Sequence, residues 1–99
     1  MYVVMNRVCV KSNWTTEFEE RFRKRAGKID KEPGFVSMNI LKPESENVPY
    51  VVLTHWKTKG DFENWIGSDD FKAAHQNPMP KEAFDTGGGL ETFDVIISS

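Results

Sequence analysis

The chain of 99 residues has one cysteine, two histidines and no apolar run near the roughly 18 residues that a membrane span requires. A single cysteine forms no internal disulfide, which excludes the disulfide-stabilised scaffolds of small secreted proteins. The first ten residues also lack the basic, apolar and small-residue segments of a signal peptide. We therefore expect a cytoplasmic protein with no membrane partner.

An excess of positive charge is also missing. The 13 basic and 15 acidic residues give a formal net charge of -2, so no overall positive field attracts a phosphate backbone, and a nucleic-acid partner is not expected. With 38% hydrophobic and 12% aromatic residues, the composition is that of an ordinary globular protein. The length suits a single domain over residues 1–99.

Several common catalytic motifs are absent from the sequence, namely Walker A, GxGxxG, CxxC, HExxH and GxSxG. Residues 87–89 are three consecutive glycines, but no Lys-Ser or Lys-Thr pair follows them. A flexible loop is therefore favoured there over a phosphate site. Without a flavin or nicotinamide motif, an oxidoreductase built on this chain needs electrons from an external protein or small molecule.

The hydrophobic pattern predicts four strands and two helical regions. Residues 2–10 alternate as a strand with Asn6 as the polar member of an apolar face. Residues 15–32 have helical periodicity and end at Pro33-Gly34. The predicted apolar stripe of this helix consists of Phe18, Phe22, Arg25 or Ala26, and Ile29. Further strands are predicted at 35–41, 50–57 and 90–97, and a second helical region begins near Lys59 and, after a cap at Ser68, runs to His75.

The order βαββαβ is that of the ferredoxin-like α+β fold, an antiparallel sheet with both helices on one face. Strand sequences such as YVVLTHW and LETFDVII carry apolar side chains on both faces. The face without helices would expose a large apolar patch. We therefore expect a second copy of the chain to cover it in a homodimer.

Three residues are candidates for chemistry. His75 lies among small and aromatic side chains and is either a capping or core histidine or an axial ligand of haem iron. Trp65 is either a core filler or a wall of the same pocket. Asn6 puts an amide on an apolar strand face, where an unpaired polar group costs about 1–3 kcal/mol, so it needs a backbone or ligand partner. The other histidine, His55, lies within a predicted strand and is expected to be structural.

Nearly the whole chain resembles a known family. The matching segments are residues 54–59 (THWKTK), 62–65 (FENW) and 68–75 (SDDFKAAH), with the Asn6 strand, 19–22 (EERF) and 33–35 (PGF) in the corresponding order. They resemble the IsdG-type haem-degrading monooxygenases of the antibiotic-biosynthesis monooxygenase superfamily. The spacing from the tryptophan to FKAAH is specific, whereas the PGF turn is shared with relatives that bind no haem. The resemblance implies a dimeric α+β barrel with one haem per subunit between helices and sheet.

By the same resemblance, His75 is the proximal ligand of the haem iron, Asn6 is the distal hydrogen-bonding residue and Trp65 forces the ring out of planarity. Phe22 and Phe71 are expected to line the pocket, and Arg21 or Arg25 is expected to meet a haem propionate. For the two phenylalanines the alternative role is core packing. For the two arginines it is a solvated helix face.

The implied reaction uses haem as cofactor and substrate together, with O2 and electrons from an external donor, and yields free iron and an opened tetrapyrrole. Two other functions stay open. A cofactor-independent quinol-type monooxygenase of the same superfamily would use His75 as a base. A haem carrier or sensor would hold the ring without turnover.

Overall fold

The computed structural model describes residues 1–25 and 27–99. The described residues form the strands β1 (Tyr2–Val8), β2 (Phe35–Leu41), β3 (Tyr50–Trp56) and β4 (Gly89–Asp94). They also form the helices α1 (Thr15–Arg25), α2 (Lys59–Ile66) and α3 (Asp69–Ala74), with short 3₁₀ turns at Ser12–Trp14 and Lys81–Ala83. No helix in the described ranges has the length and apolar character needed to cross a membrane.

The strands form one antiparallel sheet in the order β2-β3-β1-β4. In this sheet Asn6 of β1 pairs with Val52 of β3 on one side and with Leu90 of β4 on the other. Helix α1 links β1 to β2 across β3, and the pair α2–α3 links β3 to β4 across β1. This is the ferredoxin-like topology, and the fold predicted from the sequence is confirmed.

The helices pack on one face of the sheet. The ring of Phe18 on α1 lies 4.8 Å from that of Tyr50, and the ring of Phe62 on α2 lies 5.9 Å from that of Trp56, between centroids. Tyr50 and Trp56 are six positions apart on β3, so their side chains point to the same face. The core therefore contains one aromatic cluster under α1 and another under α2.

Helix α1 ends at Arg25, and the predicted continuation to residue 32 was wrong. Gly27 has a φ of 88°, a left-handed conformation that commonly terminates helices. The Lys28 N–H then bonds to the Arg25 carbonyl at 3.1 Å, which closes a turn. Ile29 still packs against the core as predicted, although it follows the helix. Ala26 of the predicted stripe lies outside the described residues.

Three strands end earlier than predicted. Strand β1 stops at residue 8 rather than 10, and Val10 instead makes an isolated bridge with Phe84. Strand β3 stops at 56 rather than 57, and β4 at 94 rather than 97. Beyond β4, Ile96 and Ile97 are 87% and 83% exposed. These apolar side chains are therefore not buried within a single chain.

Candidate functional site

A cavity of about 1150 Å³ lies between the helices and the sheet. Val4, Val52 and Thr54 contribute to its sheet wall, and the helices close the other sides. The seven candidate residues named from the sequence all line it: Asn6, Arg21, Phe22, Arg25, Trp65, Phe71 and His75. The fold therefore brings these separate segments of the sequence to one place.

A smaller cavity of about 210 Å³ adjoins the large one. The two share several lining residues, among them Asn6 and His75. Pro78, Met79 and Phe84 line only the smaller one. These three residues were not predicted at the site, because the loop between α3 and β4 carries no periodic pattern.

His75 is the residue at which α3 ends. At the start of α3, the Ser68 hydroxyl accepts a hydrogen bond from the Phe71 N–H at 3.1 Å, which confirms the predicted cap. The imidazole ring stacks on the Phe71 ring, with centroids 4.1 Å apart and planes 30° apart. One face of the imidazole is thus apolar, as expected, but the residue is exposed and therefore accessible to a ligand.

The imidazole of His75 has a defined tautomer. Its Nδ1 lies 2.8 Å from the carbonyl oxygen of Phe71. Because a carbonyl oxygen only accepts, Nδ1 carries the hydrogen and donates it. The lone pair of Nε2 is then available, which is the state in which histidine binds a metal while a backbone carbonyl orients the ring. The C-terminal turn of α3 thus fixes the orientation of the His75 ring.

Trp65 connects the His75 region to the core. Its ring centroid lies 4.8 Å from that of Phe71, 6.5 Å from that of His75 and 5.5 Å from that of Trp56. Trp56 is fully buried, and its Nε1–H donates to the Thr54 hydroxyl at 3.1 Å. The half-buried indole of Trp65 therefore has a rigid support behind it. Trp65 was predicted at the site from the sequence, but its support by Trp56 was not.

Asn6 is half-buried on the sheet wall between Val52 and Leu90. No residue in the described part of the chain hydrogen-bonds to its carboxamide, whose atoms remain accessible. The sequence offered a backbone group or a ligand as the partner of this carboxamide, and no described backbone group bonds to it. The amide is available to a ligand in the cavity.

The two candidate arginines have different surroundings. Arg21 donates from Nε to a Glu17 carboxylate oxygen at 2.9 Å and from Nη1 to the carbonyl of Asn77. The Arg25 guanidinium lies over the Phe22 ring, 5.2 Å from its centroid. Burial, and then the positive charge of Arg21, lowers the pKa of Arg25, although a guanidinium stays charged. Arg25 is thus better placed than Arg21 to meet an anionic group.

A pair of carboxyl groups at the cavity was not predicted. Glu32, in the turns after α1, and Asp70, in the first turn of α3, both line the cavity. A hydrogen bond with Asp70, then burial and the negative charge of Asp70, raises the pKa of Glu32 above its ordinary value. These two residues meet only in the folded chain, and neither stands in a motif that would have indicated the pair.

Comparisons with known proteins agree with this geometry. The family model described as antibiotic biosynthesis monooxygenase matches residues 1–77. A haem oxygenase (staphylobilin-producing) of Staphylococcus haemolyticus is 43% identical over 79 residues, which cover 78% of this chain and 75% of that protein. A haem oxygenase (mycobilin-producing) of Mycobacterium tuberculosis is 31% identical over 99 residues, which cover 96% of this chain and 89% of that protein.

Solved structures give the same result. The haem-degrading protein MhuD of Mycobacterium tuberculosis, with two haems bound in its active site, is similar with a TM-score of 0.82 and 29% identity. The similarity covers 100% of this chain and 99% of that one. All seven candidate residues lie within residues 1–77, the range that the family model matches. The chain therefore belongs to the antibiotic biosynthesis monooxygenase family, and within it to the group of haem-degrading relatives.

Proposed function

We propose that the protein is a cytoplasmic haem-degrading monooxygenase that holds haem in the cavity between helices and sheet. The observation that carries the proposal is the geometry of the His75 ring. Its Nδ1 is held 2.8 Å from the Phe71 carbonyl, which leaves Nε2 for iron. Relatives that are 31% and 43% identical and are haem oxygenases support the same function.

The residues present fit a haem. The volume of about 1150 Å³ is ample for a large ligand, since typical ligand pockets measure roughly 300–1,000 Å³. The aromatic rings of Phe22, Trp65 and Phe71 match the apolar surface of a porphyrin. The Arg25 guanidinium supplies positive charge for a haem carboxylate.

When bound, haem supplies both the iron that activates O2, with electrons from an external protein or small-molecule donor, and the ring that is opened to release iron. The side chains of this protein bind and orient. His75 would hold the haem through Nε2, and Trp65, supported by the buried Trp56, would pack against the ring. Asn6 offers a carboxamide inside the cavity as a hydrogen-bonding group for the reacting oxygen atoms.

Haem titration tests the binding step. We expect the parent protein to bind close to one haem per subunit with a shifted Soret band, and His75→Ala to lose the histidine-ligated spectrum. His55→Ala is the matched control, because His55 bonds to the Ser37 hydroxyl at 3.2 Å on the sheet face opposite the helices. A normal ferric-haem spectrum in His75→Ala contradicts the assignment.

Single-turnover spectra after addition of reductant and O2, with mass spectrometry of the product, test the reaction. We expect loss of the Soret band, an opened tetrapyrrole and free iron. Bound haem that persists under these conditions would indicate a carrier or sensor. A parent protein that gives no Soret shift with haem would favour a cofactor-independent quinol-type monooxygenase.

The proposal includes a homodimer formed through the sheet face opposite the helices. The strand register places Val3, Leu53 and Phe93 on that face, and Phe93 is 44% exposed. Ile96 and Ile97 extend the apolar surface beyond β4. Monomeric proteins rarely expose such contiguous patches, and a second copy would cover it. Sedimentation at micromolar concentration should show a dimer that Phe93→Lys dissociates, and a well-behaved parent monomer would contradict the proposal.

A further inference from the structure

A side chain of α1 reaches across the cavity to the loop that follows α3. Arg21 donates from Nη1 to the carbonyl of Asn77, which is two residues after His75, while its Nε bonds to Glu17. We propose that Arg21 is a positioning residue that fixes the segment carrying His75 relative to α1. This inference rests on the proposed function, because His75 is taken to hold the haem.

The segment after His75 has few other attachments. Helix α3 has six residues and packs mainly on α2. The Gln76 N–H bonds back into α3 at 3.4 Å, and the next backbone hydrogen bond along the chain is accepted by the Pro80 carbonyl. Pro78 has no N–H to donate. In the described part of the chain, Arg21 therefore makes the one hydrogen bond that ties residues 76–79 to an element other than α3.

The guanidinium of Arg21 is oriented for this contact by its own helix. Glu17 lies one turn earlier, and its carboxylate accepts from Nε at 2.9 Å. The Arg21 side chain is 25% exposed, whereas that of Arg23 on the same helix is 63% exposed. A planar guanidinium has donors in a fixed geometry and can hold a carboxylate and a carbonyl at once. The two bonds together connect α1 to Asn77.

Loss of this connection would release the C-terminal end of α3. Helix ends fray readily unless something holds them, and the bond from His75 Nδ1 to the Phe71 carbonyl lies in that last turn. Fraying would leave Nε2 without a fixed direction. The expected consequence is faster loss of haem and a mixture of iron ligation states, with the fold retained.

Arg21→Met tests the inference, because methionine keeps an unbranched side chain without the donors. In the apoprotein, exchange of the His75 and Gln76 amide hydrogens, which are bonded to α3, should become about tenfold faster, the effect of losing one hydrogen bond of ordinary strength. Haem and haem dimethyl ester should both dissociate about tenfold faster, since the connection acts on the protein rather than on a haem carboxylate. Arg21→Lys should restore part of both effects.

Arg23→Met is the matched control, because Arg23 bonds to Glu19 and Glu20 rather than to the His75 segment. It should change neither amide exchange at His75 and Gln76 nor haem dissociation. If Arg21→Met does not fold, Glu17→Gln, which keeps the Asn77 bond but weakens its orientation, should show the same changes to a smaller extent, and no change would count against the inference.

Three results separate the possible explanations. Faster dissociation of haem but not of its dimethyl ester would mean that Arg21 binds a haem carboxylate, and the inference would be wrong. Unchanged amide exchange at His75 and Gln76 in the apoprotein would overturn it as well, whether or not haem binds. Failure of the proposed function gives a different result, namely a parent protein that shows no Soret shift with haem.

Discussion

Replacement of Asn6 by alanine should separate folding from catalysis in this protein. The carboxamide is half-buried on β1, and no described residue hydrogen-bonds to it. Asn6→Ala therefore breaks no hydrogen bond with a described residue. We expect the free energy of unfolding to change by no more than about 0.5 kcal/mol, the usual range for substitutions without such losses.

The rate of ring opening should respond far more strongly. A hydrogen bond to a charged group is worth about 1.5–3 kcal/mol. At about 1.4 kcal/mol for each factor of ten, its loss from the transition state slows the reaction about 10- to 150-fold. Haem affinity should change little, because the bond to His75 and burial of a large ring carry most of it.

Three measurements on the same variant test this separation: urea unfolding of the apoprotein, haem titration, and the single-turnover rate with reductant and O2. Asn39→Ala is the matched control. Asn39 is an exposed residue of the same type on β2, paired with Leu53, so its side chain lies on the sheet face opposite the cavity. It should leave haem affinity and the single-turnover rate unchanged.

Two outcomes refute the reasoning on Asn6. One is a single-turnover rate equal to that of the parent, which would make the amide irrelevant to the reaction. The other is a loss of more than about 1 kcal/mol in the free energy of unfolding, which would mean that the amide is bonded within the folded chain.

Three further predictions concern other contacts. Trp65→Phe should still bind haem, because the smaller ring still packs on Trp56, but the haem should be flatter and its turnover slower. Unchanged paramagnetic shifts of the ring substituents and an unchanged rate would mean that Trp65 only packs the core. In the parent protein the Tyr50 phenol donates a 2.5 Å hydrogen bond to Glu19, and this bond lowers the pKa of Glu19. Burial, and then the same bond, raises the pKa of Tyr50 to about 12. Tyr50→Phe removes the bond. Because the pKa of Glu19 is lowered in the folded state, its ionised form stabilises the fold at any pH above the ordinary Glu pKa. That stabilisation is lost as the pH falls through the folded-state pKa. Urea unfolding should therefore show a loss of about 1 kcal/mol at pH 7 and a shallower decline in acid, and an unchanged profile would contradict this. Glu32→Gln should change stability in the opposite direction, because Asp70 raises the pKa of Glu32. Protonated Glu32 stabilises the fold at any pH below the ordinary Glu pKa, and this stabilisation is lost as the pH rises through the raised pKa. The amide should remove that loss and raise Tm at pH 7, and a lowered Tm would refute the assignment.

The bounds of an element could be predicted where chain breakers flank it. Strand β2 was predicted with its observed bounds, because Pro33-Gly34 precedes it and a polar connector follows it, although its register with β3 shifts between Phe35 and Ser37. The end of α1 was missed because the apolar spacing continues to Ile29, while the left-handed conformation of Gly27 had already ended the helix. Spacing alone cannot tell a helix from turns that bury the same side chain.

The membership of the site was predictable, and its internal connections were not. Asn6, Trp65 and His75 were placed by the match of whole segments to a family. The bond from Arg21 to Asn77 joins residues 56 positions apart, and no local pattern indicates it. The tautomer of His75 likewise depends on its conformation at the helix end, which residue types alone do not specify.

The two sides of the cavity differ in how readily mutation can alter them. On the sheet side, a shift of one residue in register would turn every side chain of the strand to the opposite face, so an insertion within β1 or β3 would remove side chains from the cavity. On the helical side, α2 and α3 are short, and each starts at its own cap, at Thr58 and Ser68. Changes in length or composition there alter the walls without moving the strands. Descendants of such a chain can therefore acquire new substrates through residues 58–88 while the ancestral sheet is kept.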